Sequence, residues 1–196
     1  MKIGVLALQG AFIEHVEILK SLGVDAVEVR LPEELVGLDG LIIPGGESTT
    51  ISKLAVIYKL MEPLRVFAQQ KAVWGTCAGM IFMAKNAGSD LKTLDLMDIT
   101  VERNAFGRQV DSFVEDLEVD LLSNGREQLF PAVFIRAPRL TSVNGDQGAE
   151  VIARLEDGTA VAALQNHWLV TSFHPELTGD NRFHRFFLKL VSENTE

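Results

Sequence analysis

The chain has 196 residues, 47% hydrophobic and 23% charged. That composition excludes a disordered segment, and the length suffices to bury roughly 70% of the extended-chain surface around one core. The formal net charge is −9, and no Lys/Arg cluster stands ready for a phosphate backbone, so nucleic acid is not an expected partner. Cys77 is the single cysteine, which leaves no internal disulfide and no sign of an oxidising compartment. The first apolar stretch is too short for a secretory leader, and no run approaches the ~20 residues of a bilayer span. A cytoplasmic protein without membrane association is expected.

Residues 2–8 are short and apolar and stop at Gln9-Gly10, which predicts a buried strand. Phe12, Val16 and Leu19 then recur at helical spacing, with Gly23 where a C-terminal cap belongs. Strands are expected at Val24–Val29 and Leu41–Ile43, the latter ending in Pro44-Gly45-Gly46. A helix follows from Ser48, as its cap, towards Leu60, and Pro63 opens another. Ala72–Trp74 is a short strand running into Gly75-Thr76-Cys77-Ala78-Gly79, with a helix through Met83. This alternation predicts a parallel sheet with helices on both faces.

The second half reads as β at 113–121, 131–136, 150–155, 160–164 and 168–173, with turns such as Asn144-Gly145 and Asp157-Gly158. Hairpins there would extend the sheet into a mixed one. Phe183, Phe186, Phe187, Leu190 and Val191 give a closing helix one apolar face, and the polar tail from Ser192 is expected to fray. No repeat or linker divides the chain, so residues 1–196 are expected to form one domain.

Gly75-Thr76-Cys77-Ala78-Gly79 has the G-x-nucleophile-x-G form of a strand-to-helix elbow, where bulky neighbours would clash. A helix start offers free N–H groups and partial positive charge, and such sites lower a cysteine pKa from ~8.5 to as little as roughly 3.5. The Ala78 N–H would face a developing oxyanion. A lone cysteine is more commonly a small core residue, and the glycines on both sides are what favour the elbow.

Leu169–Phe173 reads as a strand running into His174-Pro175-Glu176. Residues i and i+2 of an extended segment face one way, so Glu176 would lie beside the His174 ring and hold its tautomer. Cys77, His174 and Glu176 are thus expected as nucleophile, base and orienting acid. His15 and His184 fall inside helical patterns and His167 in a polar turn, and all three read as surface or packing residues. No Cys/His spacing fits zinc, and neither a metal nor a cofactor is expected.

Pro44-Gly45-Gly46-Glu47-Ser48 joins a strand to a helix. It fits an oxyanion loop opposite Cys77, a phosphate-binding helix start, or a plain tight turn. Arg103 and Arg136 suit a substrate carboxylate, because a guanidinium donates two parallel hydrogen bonds, though surface ion pairs account for them equally well.

Together these segments resemble the class I (triad) glutamine amidotransferases, through 44–50, 75–79 and 172–178. More narrowly the chain is similar to the glutaminase subunits of pyridoxal phosphate synthases. That likeness is carried by 4–11, by Val101-Glu102-Arg103-Asn104-Ala105-Phe106-Gly107-Arg108-Gln109, and by Phe134-Ile135-Arg136-Ala137-Pro138. Met80 follows the elbow where many other amidotransferases carry Gln, which speaks against the anthranilate- and GMP-synthase types.

The resemblance implies an α/β three-layer sandwich of flavodoxin-like type with a mixed, largely parallel sheet. It implies hydrolysis of L-glutamine through a cysteinyl thioester, with Gly46 and Ala78 as oxyanion donors. Gly46, Glu47, Ser48, Arg103, Ile135 and Arg136 would bind glutamine. The ammonia would pass to a separate pyridoxal phosphate synthase, whose ring-shaped dodecamer is decorated by glutaminase subunits. That partner would activate the glutaminase on docking and build pyridoxal phosphate from two sugar phosphates. The rivals are a glutaminase for another acceptor and a cysteine hydrolase or stress protein on a related fold.

Overall fold

The computed structural model describes residues 1–88, 90–103, 112–123 and 127–194. The stretch Asn104–Gln109, part of the family likeness, lies outside the described residues.

The first half alternates as expected: β1 (Lys2–Leu6), α1 (Phe12–Ser21), β2 (Asp25–Val29), β3 (Gly40–Ile43), α2 (Ser48–Ile57), α3 (Met61–Gln70), β4 (Ala72–Thr76) and α4 (Ala78–Met83). The second half is β-rich: β5 (Ala84–Asn86), β6 (Met97–Glu102), β7 (Ser112–Leu117), β8 (Phe130–Ile135), β9 (Arg139–Val143), β10 (Ala149–Arg154), β11 (Ala160–Gln165) and β12 (Trp168–Thr171), closed by α5 (Arg182–Glu193).

The main sheet runs β2-β1-β3-β4-β12-β11-β9-β6-β5, with β10 paired to β11. From β2 to β12 every pairing is parallel. From β12 onward the ladder turns antiparallel, until β5 lies parallel to β6 at the far edge. Apart from the edge strand β2, the strands of the parallel half are buried on both faces, which is why they read as continuous apolar runs. Their side chains still alternate between two cores. Ile3, Val5, Ile42 and Trp74 face a layer of α1, α5 and the β7–β8 pair. Leu6, Leu41, Ile43 and Val73 face α2, α3 and α4. In α5 the aromatic face is fully used: Phe183 and Phe187 are both 0% exposed, each burial stabilising by about 1.5–3 kcal/mol.

Several expectations change. β7 and β8 pair with each other in a separate two-stranded sheet and do not extend the main one. The strands β5, β6 and β9 add to those expected. Glu47, not Ser48, caps α2, its carboxylate accepting from the Thr49 and Thr50 N–H groups at 3.0 and 2.7 Å. A carboxylate one residue earlier reaches the free N–H groups of the first turn, which the Ser48 side chain does not cap. The helix α5 continues past Ser192 to Glu193, and Asn194 is tied by its side-chain N–H to the Gln70 carbonyl at 2.8 Å. Gly23 does close α1: the Val24 N–H reaches back to the Leu19 carbonyl at 3.1 Å.

Candidate active site

Four parallel strands deliver their carboxyl ends to one place, as open α/β sheets do. β1 leads to Gln9-Gly10, β3 to Gly45-Gly46, β4 to Cys77 and β12 to His174 and Glu176.

Cys77 sits between β4 and α4 with φ 48° and ψ −103°. A non-glycine residue there costs on the order of 1–3 kcal/mol, and surrounding structure must hold it. The Cys77 N–H donates to the Thr171 carbonyl at 2.8 Å, and its carbonyl accepts from the Ile81 N–H at 3.3 Å. Close packing explains both flanking glycines. A Cβ on Gly75 would lie 2.6 Å from the Gly79 carbonyl oxygen, and one on Gly79 would overlap the Ile43 carbonyl.

His174 is anchored by its N–H to the Val133 carbonyl at 2.8 Å. Its Nδ1 lies 2.7 Å from Glu176 Oε1. The pairing anticipated for an extended segment is reached differently. Pro175–Leu177 form a 3-10 turn, with the Leu177 N–H donating to the His174 carbonyl at 3.2 Å. Proline sets φ for that turn, and the turn folds the carboxylate back onto the ring. Gly45 abuts both partners: a Cβ there would be 2.5 Å from His174 Cε1 and 3.3 Å from Cys77 Cβ.

Burial acts to lower the His174 pKa. Its interactions with the Cys77 and Glu176 side chains outweigh burial and raise it from 6.5 to about 10. For Glu176, burial acts to raise the pKa. His15 and His174 overcome it and hold the carboxyl well below the usual range, so it is ionised at neutral pH.

Behind the carboxylate lie two histidines that the sequence reading placed at the surface or in general packing. His15 and His184 are both 0% exposed. His15 Nε2 is 3.4 Å from Glu176 Oε2, a long polar contact. His15 Nδ1 is 2.9 Å from His184 Nε2. Both rings pack edge-on to Trp74, at centroid distances of 5.6 and 5.0 Å. His184 is kept neutral, its pKa lowered to about 3 by burial and by His15.

The glycine loop is fastened from three sides. The Gly45 N–H donates to Thr76 Oγ1 (2.9 Å), the Gly45 carbonyl accepts from the Ala11 N–H (3.0 Å), and the Glu47 N–H donates to Gln9 Oε1 (2.6 Å). The trans peptide therefore turns the Gly46 N–H away from Ala11. Gly10 has φ 102°, and a Cβ there would overlap the Gly45 carbonyl, so only glycine permits this approach.

A cavity of about 950 Å³ opens over Cys77 and His174, and Gly46, Ala78, Arg103 and Arg136 line it. Glu47, Ser48 and Ile135 line it too, so each residue expected to touch substrate borders this one space. The Glu47 carboxylate is committed to capping α2. Its hydrogen bonds, that from the Thr50 hydroxyl first, lower its pKa to about 2.

A family model described as the SNO glutamine amidotransferase family matches residues 5–193. The chain belongs to this family. It is 58% identical to pyridoxal 5'-phosphate synthase subunit PdxT of Dehalococcoides mccartyi, over 98% of each chain. It is 55% identical to the Herpetosiphon aurantiacus protein of the same name, covering 97% of this chain and 100% of that one. A crystal structure of a glutamine amidotransferase superposes with TM-score 0.89 at 49% identity, over 97% of this chain and 98% of that one. A putative GMP synthase component from Thermoplasma acidophilum shares the fold at TM-score 0.71 and 18% identity, over 100% and 96% of the two chains. The class I amidotransferase α/β fold expected from the sequence is the fold observed.

One signal could have placed the two histidines. Each lies on the apolar side of its helix: His15 directly precedes Val16, and His184 stands between Phe183 and Phe186. Buried imidazoles need partners. What the pattern lacked was the pairing of α1 with the turn at Pro175–Leu177, visible only in three dimensions. Among the described residues no group of three or more His, Cys, Asp or Glu side chains is arranged to hold a metal ion.

Proposed function

We propose that this chain, as one domain over residues 1–196, is the cytoplasmic glutaminase subunit of a pyridoxal phosphate synthase. It hydrolyses L-glutamine to L-glutamate and hands the ammonia to a separate synthase subunit. The observation that carries the chemistry is the His174–Glu176 pair, 2.7 Å apart, with His174 beside Cys77 on the wall of the cavity. The acceptor is supported by the names of relatives that align over nearly their whole length.

In this reading the Cys77 thiolate attacks the side-chain amide carbon of glutamine. The oxyanion is held by the N–H groups of Gly46 and Ala78, and such a donor is typically worth ~10²–10³ in kcat. His174, protonated, gives its proton to the departing nitrogen as the C–N bond breaks, and ammonia leaves a γ-glutamyl thioester. Water then attacks the thioester while His174 takes its proton; the C–S bond breaks and glutamate departs. Glu176 orients His174 and balances its charge, transferring no proton itself. Glu47, Ser48 and Ile135 shape the subsite, and Arg103 and Arg136 meet the α-carboxylate. In this reading the partner is a ring-shaped dodecamer decorated by glutaminase subunits.

The test is glutamate release from glutamine by the chain alone and with a pyridoxal phosphate synthase subunit, with Cys77→Ala as control. Release that rises with the partner and vanishes in the variant is expected. Equal release without the partner would point to another acceptor. Release unaffected by Cys77→Ala would overturn the mechanism.

A further inference from the structure

Glu176 has two oxygens and is buried to 6% exposure. Oε1 faces His174, and Oε2 has no aligned hydrogen-bond donor among the described residues. A buried carboxylate oxygen without a partner is costly, and the basic group facing it is His15, at 3.4 Å. The same His15 Nε2 is 3.4 Å from Thr76 Oγ1, the atom that accepts the Gly45 N–H. His15 thus stands between the carboxylate and the glycine loop.

One assignment of protons satisfies the set. His15 carries its proton on Nε2, facing Glu176 and Thr76, which leaves Nδ1 as an acceptor. His184 must then donate from Nε2, so its buried Nδ1 is a bare lone pair. Nδ1 of His184 is the atom of that ring without a partner. A stranded acceptor is tolerated better than a stranded N–H.

We propose that His15, backed by His184, is a positioning residue of the glutaminase reaction. It holds Glu176 Oε2 so that Oε1 stays on His174 Nδ1, and it couples that carboxylate through Thr76 to the glycine loop. The inference rests on the glutaminase reading for its kinetics, though not for its spectroscopy. The titratable groups facing Glu176 are His15 of α1 and His174, with Cys77 beyond the ring of His174 and His184 of α5 behind His15. From β4 come only the neutral Thr76 and Trp74.

The test compares His15→Leu, His15→Gln and His184→Leu. In complex with the synthase subunit, His15→Leu is expected to lower kcat by roughly 10–100-fold with KM changed less than about threefold, as for a ~1 Å misplacement of a catalytic group. His15→Gln, whose amide N–H reaches towards the carboxylate, should recover most of the loss; His184→Leu should lose less than His15→Leu. In the chain alone, the NMR titration midpoint of the His174 ring, assigned with His174→Gln, should fall towards 6.5 by about one unit or more in His15→Leu. An unmoved or raised midpoint overturns the proposal. So does a kcat loss that His15→Gln fails to rescue and that tracks the melting temperature. Absence of glutamine hydrolysis by the wild-type complex would sink the glutaminase reading, while the His174 titration would still decide the role of His15.

Discussion

The two halves of the main sheet bury different things. In the parallel half, from β2 to β12, the core is interrupted by His15, Thr76, His174, Glu176 and His184, all under 9% exposed. In the antiparallel half, among the described residues, Gln165 on β11 is the polar side chain buried to that degree. That half supplies Arg103 to the cavity, and the separate β7–β8 pair supplies Ile135 and, just after it, Arg136, all from positions that are exposed or half-buried. One half holds ionisable groups in fixed geometry at strand ends and on the helices behind them, where low dielectric strengthens them. The other, together with the β7–β8 pair, lines part of the cavity wall. In the function proposed above, the chemistry would lie with the parallel half and much of the recognition with the elements beyond it.

The largest break in this division should come from the elbow. A Cβ on Gly79 has no room beside the Ile43 carbonyl, which is backbone and cannot swing away. Gly79→Ala should cost about 1–3 kcal/mol of stability, read by urea unfolding, as overpacking of a tight core does. By displacing Cys77 it should also lower glutamate release by on the order of 100-fold. Gly145, in the other half, has nothing within 4 Å of its would-be Cβ. Gly145→Ala should stay within about 0.5 kcal/mol and leave release unchanged. Equal effects at the two positions would show that the elbow is not under the constraint its geometry describes.

The division also explains what was legible in the sequence. The parallel half is written in local terms: short apolar strands, a glycine on each side of Cys77, a proline between His174 and Glu176. Each local rule names its element and its atoms. The antiparallel half is written in pairings between distant segments. Met97, Ile99 and Val101 alternate with polar neighbours in β6, a period-2 signal that was present but short. Its partner β9 reads Arg139-Leu140-Thr141-Ser142-Val143, with too little alternation to stand out. The His15–Glu176 contact spans 161 positions, and no periodicity could announce it. Ser48 misled because its residue type suits a cap, while Glu47 one residue earlier had the reach.

A sharper test of the recognition wall uses its two arginines. If Arg103 and Arg136 meet the substrate carboxylate, Arg103→Ala and Arg136→Ala should each raise KM for glutamine by roughly 10–100-fold, the equivalent of losing one hydrogen bond to a charged group. The kcat should hold within about threefold, because the contact is the same in ground and transition states. Arg136 is exposed, so neither its removal nor its charge should shift the unfolding midpoint appreciably. A fall in kcat at constant KM would place these side chains in the chemistry and blur the two halves.

The smallest effect at neutral pH is a difference in slope, and it tests whether the parallel half really buries its charges as described. His184 has a pKa lowered from 6.5 to about 3, so the native state resists a proton that the unfolded chain accepts. Its contribution to stability is complete above about pH 6.5 and is lost as pH falls towards 3, with a slope of up to ~1.4 kcal/mol per pH unit. Glu176 is depressed too, so its contribution is complete above 4.5 and is lost only in stronger acid. His174 runs the other way: raised to about 10, it stabilises fully below 6.5 and less as pH climbs towards 10. Between pH 6.5 and 4.5 His174 is protonated and Glu176 ionised in both the folded and the unfolded chain, which leaves His184 to set the tilt among these three. His184→Asn should therefore flatten the unfolding free energy across that window while leaving the alkaline decline of His174 in place. If the variant kept the wild-type slope, the tilt would belong to another group and His184 would not be the neutral ring that its burial and its single hydrogen bond require.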